Sequence, residues 1–394
     1  MTLPAVKVAY LDHVARWSGG EIALFRLIAE LDRSEVEPLV ILSEPGPLEE
    51  RLRSINVEVL VVNLDDKVRD ARKDTLLQGV LGKLVLLKGL YEYAHQLSVI
   101  LRERGVQVIH ANSLKADFIA WVAGRLAGIP VIWHVRDHID PVYLPGPVVW
   151  LFRFLAGWLP DLILTNSEST LQKLQQPPGR KLNAKVLPDG LTDEEIFSVY
   201  PAPARKFIAP VKIGLIGRIT RWKGQHVFLQ AGRLVLDAGL DAQFLIIGSA
   251  LFDEHEYEDQ LQSIVSQLQL RDQVKFCGFQ EDVPGVLADL DILVHASITP
   301  EPFGQVVIEG MASELPVVAA AGGGVLDIIQ HKQNGLLHPM GDAETLAENL
   351  MLLLEDPRTA REMAMRGRQT VVQKFRIRQS AQMVTELYRQ IAFP

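Results

Sequence analysis

The chain has 394 residues, of which 48% are hydrophobic and 22% are charged. This length predicts two domains, because single hydrophobic cores stop growing at shorter lengths, and the composition is that of a globular protein. The net charge of −8 argues against a nucleic-acid partner, which needs a basic surface, and the single cysteine, Cys277, excludes an internal disulfide and a cysteine metal cluster.

The amino terminus, MTLPAVKVAYL, has no charged start followed by a long apolar run, so the sequence predicts a first strand there and no signal peptide. Together with the lone cysteine, this predicts a cytoplasmic protein.

Apolar, β-branched runs of strand length recur along the chain and alternate with segments of helical period. The runs are VKVAYL, EPLVIL, VEVLVV, VQVIHA, PVIWHV and DLILTN, then VKIGLIG, AQFLIIG, VKFCGF, DILVHA and LPVVAA. Continuous apolar strands that alternate with amphipathic helices indicate parallel sheets covered on both faces. Each half is therefore predicted to be a doubly wound α/β domain.

The segment 142–160, VYLPGPVVWLFRFLAGWLP, is the most apolar part of the first half. Arg153 and the internal prolines argue against a membrane span, and the segment is short for one. Two alternatives stay open: an exposed amphipathic segment that rests on a bilayer surface through its tryptophans and phenylalanines, or an ordinary buried helix.

The joint between the domains is predicted in SVYPAPARKFIAP, residues 198–210, which has three prolines and no apolar period. We expect a first domain over 1–205 and a second over 206–375. The last stretch, 376–394, has a helical pattern and is expected to cross back onto the first domain.

The segment GLIGRITRWKGQ places Gly217 at the end of a strand, then Arg218 and Lys223, and then Gly224 at the start of a helix. Glycines let a ligand approach the backbone, a helix start offers unpaired N–H groups, and arginine and lysine neutralise phosphate. This predicts a diphosphate site, although the segment is neither a P-loop nor a dinucleotide-binding motif. The alternative is that both cations are simply solvated on a loop.

The stretch HASITPEPFGQVVIEGMASELPVVAAAGGG places Glu301 in a loop after a strand and Glu309 eight positions later, inside a predicted helix. The helix is expected to begin near Phe303 and Gly304, which leaves the amides of Phe303, Gly304 and Gln305 available for hydroxyls or anionic oxygens. Two carboxylates at such a strand end suit a molecule with two sugars, such as a nucleotide sugar, although two acidic residues at this spacing also occur by chance.

The chain resembles the retaining GT-B glycosyltransferases of family four, which include many bacterial polysaccharide and lipid-sugar transferases. The segments that carry the resemblance are SGGE, GRITRWKG, EPFGQVVIEGMA and AAGGGVLDII followed by NGLL. The resemblance implies two Rossmann-like domains that face each other across a cleft. It implies transfer of a hexose, expected to be glucose, from a nucleotide diphosphate sugar, expected to be linked to UDP. The expected acceptor is a glycan or a lipid-linked sugar, and no metal or other cofactor is expected.

The resemblance also implies roles for individual residues. Glu309 would bind the ribose, while Glu301 and the amides of Phe303 to Gln305 would hold the transferred sugar. Arg218, Lys223 and the amides of Gly19 and Gly20 would neutralise the leaving diphosphate. Other residues expected at the nucleotide are Gly217, Gly248, Phe279 and Gln280.

The first domain departs from the family pattern. Relatives carry a histidine at the end of the strand after Gly-x-Pro, whereas GIPVIWHVRDH has Arg136 there, with His134 two residues earlier. Alternate strand residues share a face, so both side chains are candidates for the crevice, with Arg136 binding donor phosphate or acceptor. His134 is equally compatible with an ordinary core position.

Weaker candidates at strand ends are Asn112, Ser113, Ser167 and Asp189. Other histidines, including His110 and His295, are expected to be structural or solvent-facing.

Three other functions are compatible with this site: a GT-B nucleotide-sugar epimerase, a non-catalytic subunit that binds a nucleotide sugar, and a two-carboxylate glycoside hydrolase.

Overall fold

The computed structural model describes residues 4–64, 80–175, 182–197, 207–250 and 254–393. The chain forms two compact units, of which one ends at Asp189 and also includes the segment from Ile377 onwards, and the other is Gly190–Arg376. The part of the expected joint at 198–206 lies outside the described residues.

The first unit contains a seven-stranded sheet in the order β3-β2-β1-β4-β5-β6-β7, in which every pairing is parallel. Each strand except the short β7 matches a predicted apolar run. The strands are β1 Val6–Asp12, β2 Val36–Leu42, β3 Glu58–Val61, β4 Val108–Ala111, β5 Val131–Val135, β6 Leu162–Thr165 and β7 Ala184–Val186.

Helices cover both faces of this sheet and give the first unit two core layers. One layer packs α3, α4 and α5 against the sheet, and the other packs α1, α2 and the C-terminal helix α15 against it. The helices are α1 Gly19–Ala29, α2 Pro47–Ser54, α3 Val80–Glu103, α4 Leu114–Ala127, α5 Gly146–Ala156, α6 Glu168–Leu174 and α15 Ile377–Ala392. Continuous burial of the strands between two helical layers is typical of a doubly wound fold.

The second unit contains a six-stranded parallel sheet in the order β10-β9-β8-β11-β12-β13. Its strands are β8 Val211–Ile216, β9 Ala242–Ile247, β10 Val274–Gly278, β11 Ile292–His295, β12 Val317–Ala320 and β13 Leu336–His338. Its helices are α7 Asp193–Phe197, α8 Gln225–Asp237, α9 His255–Gln267, α10 Val283–Asp289, α11 Gln305–Ala312, α12 Val325–Ile328, α13 Ala343–Glu355 and α14 Pro357–Lys374. The predicted fold class, two Rossmann-like α/β domains, is confirmed.

The strand order of each sheet reverses at one place. In the first unit the reversal lies between β1 and β4, and in the second it lies between β8 and β11. Open α/β sheets bind ligands outside the carboxyl ends of the strands at such a switch point. The loops that follow these four strands are therefore the places to look for a site.

Helix α15 packs its apolar stripe on the first unit. Ile377, Ala381, Val384, Leu387 and Tyr388 are buried in the layer formed with α1 and α2. Their spacing follows the helical period, which explains why this face is covered.

Helix α5 lies within the apolar segment 142–160. Val149, Phe152 and Ala156 are buried, whereas Trp150 and Phe154 on its outer face are 65% and 48% exposed. In the described part of the chain, no helix combines the length and the apolarity that crossing a bilayer requires.

Candidate functional site

Two glycine-containing loops meet at the carboxyl ends of β8 and β9. Gly248 has a φ of 140°, and a Cβ added there would lie 2.0 Å from the carbonyl oxygen of Gly217. Only a residue without a side chain therefore fits at Gly248. Beyond Gly217, a short 3₁₀ turn over Arg221–Lys223 leads to Gly224, which precedes α8.

Lys223 and Glu301 form an ion pair at the switch point of the second unit. The Lys223 ammonium lies 2.8 Å from each carboxylate oxygen of Glu301, although the two residues are 78 positions apart. They meet because β8 and β11 are neighbours in the sheet, with Ile213 opposite Ile292. Lys223 and Glu301 are thus in direct contact.

Two further side chains hold Glu301. His295 Nε2 lies 2.8 Å from Glu301 Oε1, and the Ser297 hydroxyl donates to the same oxygen. Burial raises the pKa of Glu301, but the charge of Lys223 and then that of His295 outweigh it, so the net pKa is far below its usual range. Glu301 is therefore ionised at any pH at which the protein is handled.

Arg218 lies on the same loop as Lys223. Its Nε lies 3.3 Å from Glu254 Oε2, and its backbone carbonyl accepts a hydrogen bond of 2.9 Å from Gln225. The Arg218 guanidinium and the Lys223 ammonium lie 5.9 Å and 4.6 Å from the centre of the Trp222 ring. Trp222 therefore lies near both cations, at the place where the sequence predicts a diphosphate.

The glycine run 322–324 packs against the loop that carries Glu301. Gly323 has a φ of 64°, and a Cβ there would lie 1.9 Å from the Glu301 carbonyl oxygen. Gly324 donates its N–H to that same carbonyl at 2.8 Å. The run thus fixes the backbone on which the Glu301 carboxylate is placed.

Helix α11 begins one residue later than the sequence predicts. Gly304 precedes it with a φ of 119°, and Gln305 is its first residue. The Phe303 ring is buried against Phe375, with ring centres 5.9 Å apart, so only the Phe303 backbone remains a candidate for ligand binding. Glu309 lies just over one turn into α11 and is half-buried.

Phe279 and Gln280 follow β10, the edge strand of the second sheet. The Phe279 side chain is 66% exposed, and the Gln280 amide donates to the Cys277 carbonyl at 2.7 Å. An exposed ring of this kind is available to stack on a flat ligand group.

In the first unit, Arg136 follows β5 and His134 lies inside it. The Arg136 guanidinium donates to Asn112 Oδ1 at 2.9 Å and forms an ion pair with Asp189. A Cβ on Gly20 would lie 3.9 Å from Arg136 Cδ, so Arg136 lies beside the first turn of α1, where Gly19 and Gly20 are. His134, by contrast, is only 1% exposed and contacts His110 and Arg136. His134 is therefore a core residue, and Arg136 is the side chain at the carboxyl end of β5.

Three members of these networks were not predicted from the sequence. His295 was expected to be structural or solvent-facing, yet it contacts Glu301, as does Ser297. Their positions, six and four residues before Glu301 at the end of a strand, are the signal that could have identified them. Glu254, the partner of Arg218, lies on a different loop and had no such signal.

Across the described ranges, no group of three or more histidine, cysteine, aspartate or glutamate side chains has an arrangement that could hold a metal ion.

A Rossmann-like fold with cations and carboxylates at a switch point defines the class of the protein. The family model "Glycosyl transferases group 1" matches residues 202–370, and the model "Glycosyl transferase 4-like domain" matches residues 18–190. The chain therefore belongs to the group 1 glycosyltransferases with the GT-B fold, and it is a glycosyltransferase.

Several known proteins are similar over most of the chain. The structure of HepE from Anabaena in complex with UDP-glucose is 25% identical, has a TM-score of 0.80, and is matched over 98% of this chain and 99% of that one. The 2-deoxystreptamine glucosyltransferase of Streptomyces kanamyceticus is 28% identical over 310 residues, which are 73% of this chain and 77% of the relative. The UDP-Gal:alpha-D-GlcNAc-diphosphoundecaprenol alpha-1,3-galactosyltransferase of Escherichia coli is 22% identical over 405 residues, and the match covers 97% of this chain and 96% of the relative.

Proposed function

We propose that the protein transfers a hexose, with retention of configuration, from a UDP-linked sugar to a glycan or a lipid-linked acceptor. Glucose is the best candidate for the hexose. The ion pair of Lys223 with Glu301, beside Arg218 at the switch point of the second unit, is the observation that carries the proposal. It is supported by HepE, which was solved with UDP-glucose, and by relatives named for glucosyl and galactosyl transfer.

The reaction breaks the bond between the sugar C1 and the diphosphate oxygen and forms a bond from C1 to an acceptor oxygen. Negative charge develops on the diphosphate, where Arg218 and Lys223 provide preorganised positive charge. The acceptor attacks from the side of the leaving group, and a phosphate oxygen takes the acceptor proton. Glu301 binds sugar hydroxyls and is a positioning carboxylate, because its two oxygens accept hydrogen bonds well in the ionised state.

The other predicted residues have binding roles in this proposal. Glu309 binds the ribose hydroxyls, and the amides of Phe303, Gly304 and Gln305 bind sugar oxygens at the start of α11. Phe279 and Gln280 lie beside the base. In the first unit, Arg136 and the amides of Gly19 and Gly20 contact substrate.

Nucleotide sugars that bind the native state should raise the melting temperature. A ligand at a hundred times its Kd adds about 2.7 kcal/mol to the free energy of unfolding, so UDP-glucose, UDP-galactose, GDP-mannose and ADP-glucose can be ranked directly. We expect the UDP sugars to give the largest shifts and UDP-glucose to be consumed when an acceptor extract is added. No shift with any of the four would overturn the proposal. Binding without turnover would indicate a non-catalytic subunit, and recovery of an altered free or nucleotide-linked sugar would indicate an epimerase.

The Glu309→Ala variant should bind UDP about 10- to 100-fold more weakly than the wild type, because a carboxylate that accepts two ribose hydroxyls is lost. Isothermal titration with UDP measures this directly. Glu348→Ala is the matched control, because Glu348 is an exposed carboxylate on α13 of the same unit. Equal affinity of the Glu309 variant and the wild type would contradict the ribose role.

We also propose that the outer face of α5 rests on the surface of an anionic bilayer. Trp150 and Phe154 are stacked, with ring centres 5.6 Å apart, on a helix that is apolar on its buried face as well. Exposed tryptophan and phenylalanine are characteristic of membrane interfaces. Arg125 of α4 is exposed on a helix of the same layer and supplies positive charge to complement the lipid headgroups.

The double variant Trp150→Ser/Phe154→Ser should lower the fraction bound to phosphatidylglycerol vesicles by at least about tenfold, because two apolar side chains no longer enter the interface. Co-sedimentation with vesicles is the measurement. The control is Leu352→Ser/Met365→Ser, which removes two exposed apolar side chains from the second unit. Equal losses in both variants, or no binding by the wild type, would contradict a docking surface on α5.

A further inference from the structure

Side-chain hydrogen bonds join the loops after β1 and β4 at the switch point of the first unit. His13 is the first residue after β1, and its Nδ1 lies 2.7 Å from the hydroxyl oxygen of Ser113, which directly precedes α4. The Ser113 hydroxyl donates to Asp12 Oδ1 at 3.0 Å, and the Asn112 amide donates to Asp12 Oδ2 at 2.7 Å. Asp12, Ser113 and His13 thus form one hydrogen-bonded group at the place where an open α/β sheet binds its ligand.

Ser113 does not have the usual role of a serine at its position. It is the N-cap of α4, where a serine hydroxyl commonly accepts from a backbone N–H of the first turn, yet its side chain makes no such bond. Ser167, the N-cap of α6 in the same unit, does accept from the Thr170 N–H, at 3.0 Å. The Ser113 hydroxyl therefore bonds Asp12 and His13 instead of the helix end.

The contacts of Ser113 determine which nitrogen of His13 carries the proton. The Asp12 side chain is fully buried, and a carboxylate can only accept hydrogen bonds. The single Ser113 hydroxyl proton points to Asp12, because otherwise two oxygens with only lone pairs would face each other at 3.0 Å. The Ser113 oxygen must then accept from His13 Nδ1–H. In a neutral His13 this leaves Nε2 with a lone pair, which can accept from a ligand.

His13 is accessible to a ligand. Its side chain is 21% exposed, and with Asp12 it lines a small cavity between the sheet, α3 and α4. The cavity has a volume of about 10 Å³, which admits one water-sized group such as a hydroxyl. Two other polar side chains line it, but the Tyr93 hydroxyl donates to the Val62 carbonyl and is itself bonded to Ser43. His13 is therefore the group in this wall that can accept from a ligand.

The charge around His13 selects a neutral hydrogen-bond donor. Asp12 Oδ1 lies 3.5 Å from His13 Nδ1, so a phosphate would be repelled here while a hydroxyl would not. Asn112 connects Asp12 to Arg136, which places His13 at the same edge of the sheet as the arginine proposed to contact substrate. In the proposed reaction the attacking hydroxyl gives its proton to a phosphate oxygen. The hydroxyl that suits His13 is therefore another hydroxyl of the acceptor.

We propose that His13 binds a non-reacting sugar hydroxyl of the acceptor through Nε2. Asp12 and Ser113 are positioning residues that hold the His13 ring in the form whose Nε2 accepts. The inference rests on the proposed function and adds to it a binding residue for the acceptor glycan, in the first unit. It also states the polarity of that contact: the acceptor donates and the protein accepts.

Nitrogen NMR of ¹⁵N-histidine-labelled protein at pH 8.5 tests the proton position without turnover, because the two neutral forms of an imidazole differ in which nitrogen carries the proton. We expect His13 to carry it on Nδ1. His331 provides the opposite reference in the same spectrum, since its Nδ1 accepts from the Leu337 N–H at 2.9 Å and its proton is therefore on Nε2. Ser113→Ala should shift the His13 proton towards Nε2, and Ser113→Thr, which keeps the hydroxyl, should not. A proton on Nε2 of wild-type His13 would overturn the proposal.

The kinetic test uses UDP-glucose consumption with a dilution series of the acceptor extract. His13→Phe keeps a ring but removes both nitrogens, and we expect it to raise the half-saturating extract concentration about tenfold, the cost of one hydrogen bond to a substrate. The KM for UDP-glucose and the kcat should stay within about twofold, because the contact is made equally before and during the reaction. His331→Phe is the control, since His331 is an exposed histidine of the second unit.

A double-mutant cycle tests whether Ser113 acts through His13. Ser113→Ala should raise the half-saturating extract concentration about three- to tenfold in the wild-type background and not at all in the His13→Phe background. Equal effects in both backgrounds would show that Ser113 supports only the fold, and the positioning role would be wrong.

The remaining outcomes separate the acceptor role from the proposed function. If the wild type turns over normally and His13→Phe leaves the extract dependence unchanged, or raises the KM for UDP-glucose instead, His13 does not bind the acceptor. If the wild type consumes no UDP-glucose, the proposed function fails and the acceptor role fails with it. A proton on His13 Nδ1 in that inactive protein would show that the hydrogen-bonded group itself is correctly described.

Discussion

Lys223→Ala should lower the rate of UDP-glucose turnover by about 10²–10³-fold, the usual cost of losing one preorganised group that stabilises developing negative charge. The side chain is only 16% exposed and is held by Glu301 at 2.8 Å, so its position is set before the donor binds. Steady-state kinetics with saturating UDP-glucose measures the loss as a change in kcat. Arg218→Ala should have an effect of the same order, because Arg218 lies on the same loop.

Arg221→Ala is the matched control for these variants. Arg221 lies in the same 3₁₀ turn as Lys223 and carries the same charge, but its side chain is exposed. Its loss should leave the rate within about twofold, because an exposed charge is screened by water and salt. Similar losses in all three variants would show that only the general charge of the loop matters. Unchanged rates in both Lys223→Ala and Arg218→Ala would show that the phosphate assignment is wrong.

Lys223→Ala also leaves Glu301 without its cation, so part of the loss could come from a displaced carboxylate. A double-mutant cycle with Glu301→Gln separates the two effects. If Lys223 acts on the diphosphate, Lys223→Ala should lower the rate by a similar factor in the wild-type and Glu301→Gln backgrounds, whereas a loss that comes only from a displaced carboxylate should disappear in the Glu301→Gln background. A buried ion pair contributes little net stability, since desolvation offsets the attraction. That a charged pair lies at this switch point therefore favours a role in binding over a role in folding.

The fold could be predicted from the sequence because most of its strands lie in continuous apolar runs that alternate with helical patterns. Strands β7 and β13 were not predicted, and each has only three residues, too few for a periodic pattern. The start of α11 was predicted to within one or two residues, since Gly304 and the preceding proline mark it.

The site could be predicted only in part. The sequence indicated Lys223 and Glu301 separately, but their contact depends on β8 and β11 being neighbours, which local patterns do not encode. His134 and Arg136 do share a face, as strand alternation predicts. His134 nevertheless lies two residues deeper in the sheet, a distance of about 6.6 Å, which is enough to bury it. The contact of His134 with His110 joins β5 to β4. His110 also contacts Tyr388, which lies on α15 at the other end of the chain.

The buried histidines predict a loss of stability in mild acid. His110 has a pKa of about 3 in the folded protein, lowered first by burial and then by Arg136, whereas an unfolded histidine titrates near 6.5. Below pH 6.5 the unfolded chain therefore binds a proton that the folded chain does not. His110 therefore costs no stability above pH 6.5. As the pH decreases below 6.5, the free energy of unfolding falls by about 1.4 kcal/mol per pH unit, and the decrease levels off near pH 3. His134, whose pKa is also lowered, acts in the same direction.

Urea unfolding of the wild type and of His110→Gln at pH 7.5, 6.5, 5.5 and 4.5 tests this expectation. The wild type should lose about 1.4 kcal/mol more per pH unit than the variant below pH 6.5, even if the variant is less stable at pH 7.5. His255→Gln is the control, because the His255 side chain is 77% exposed, and its pH dependence should match that of the wild type. Parallel curves for the wild type and His110→Gln would mean that His110 is protonated in the folded protein. Arg136 would then face a second positive charge across His134, the repulsion that, after burial, lowers the pKa of His110.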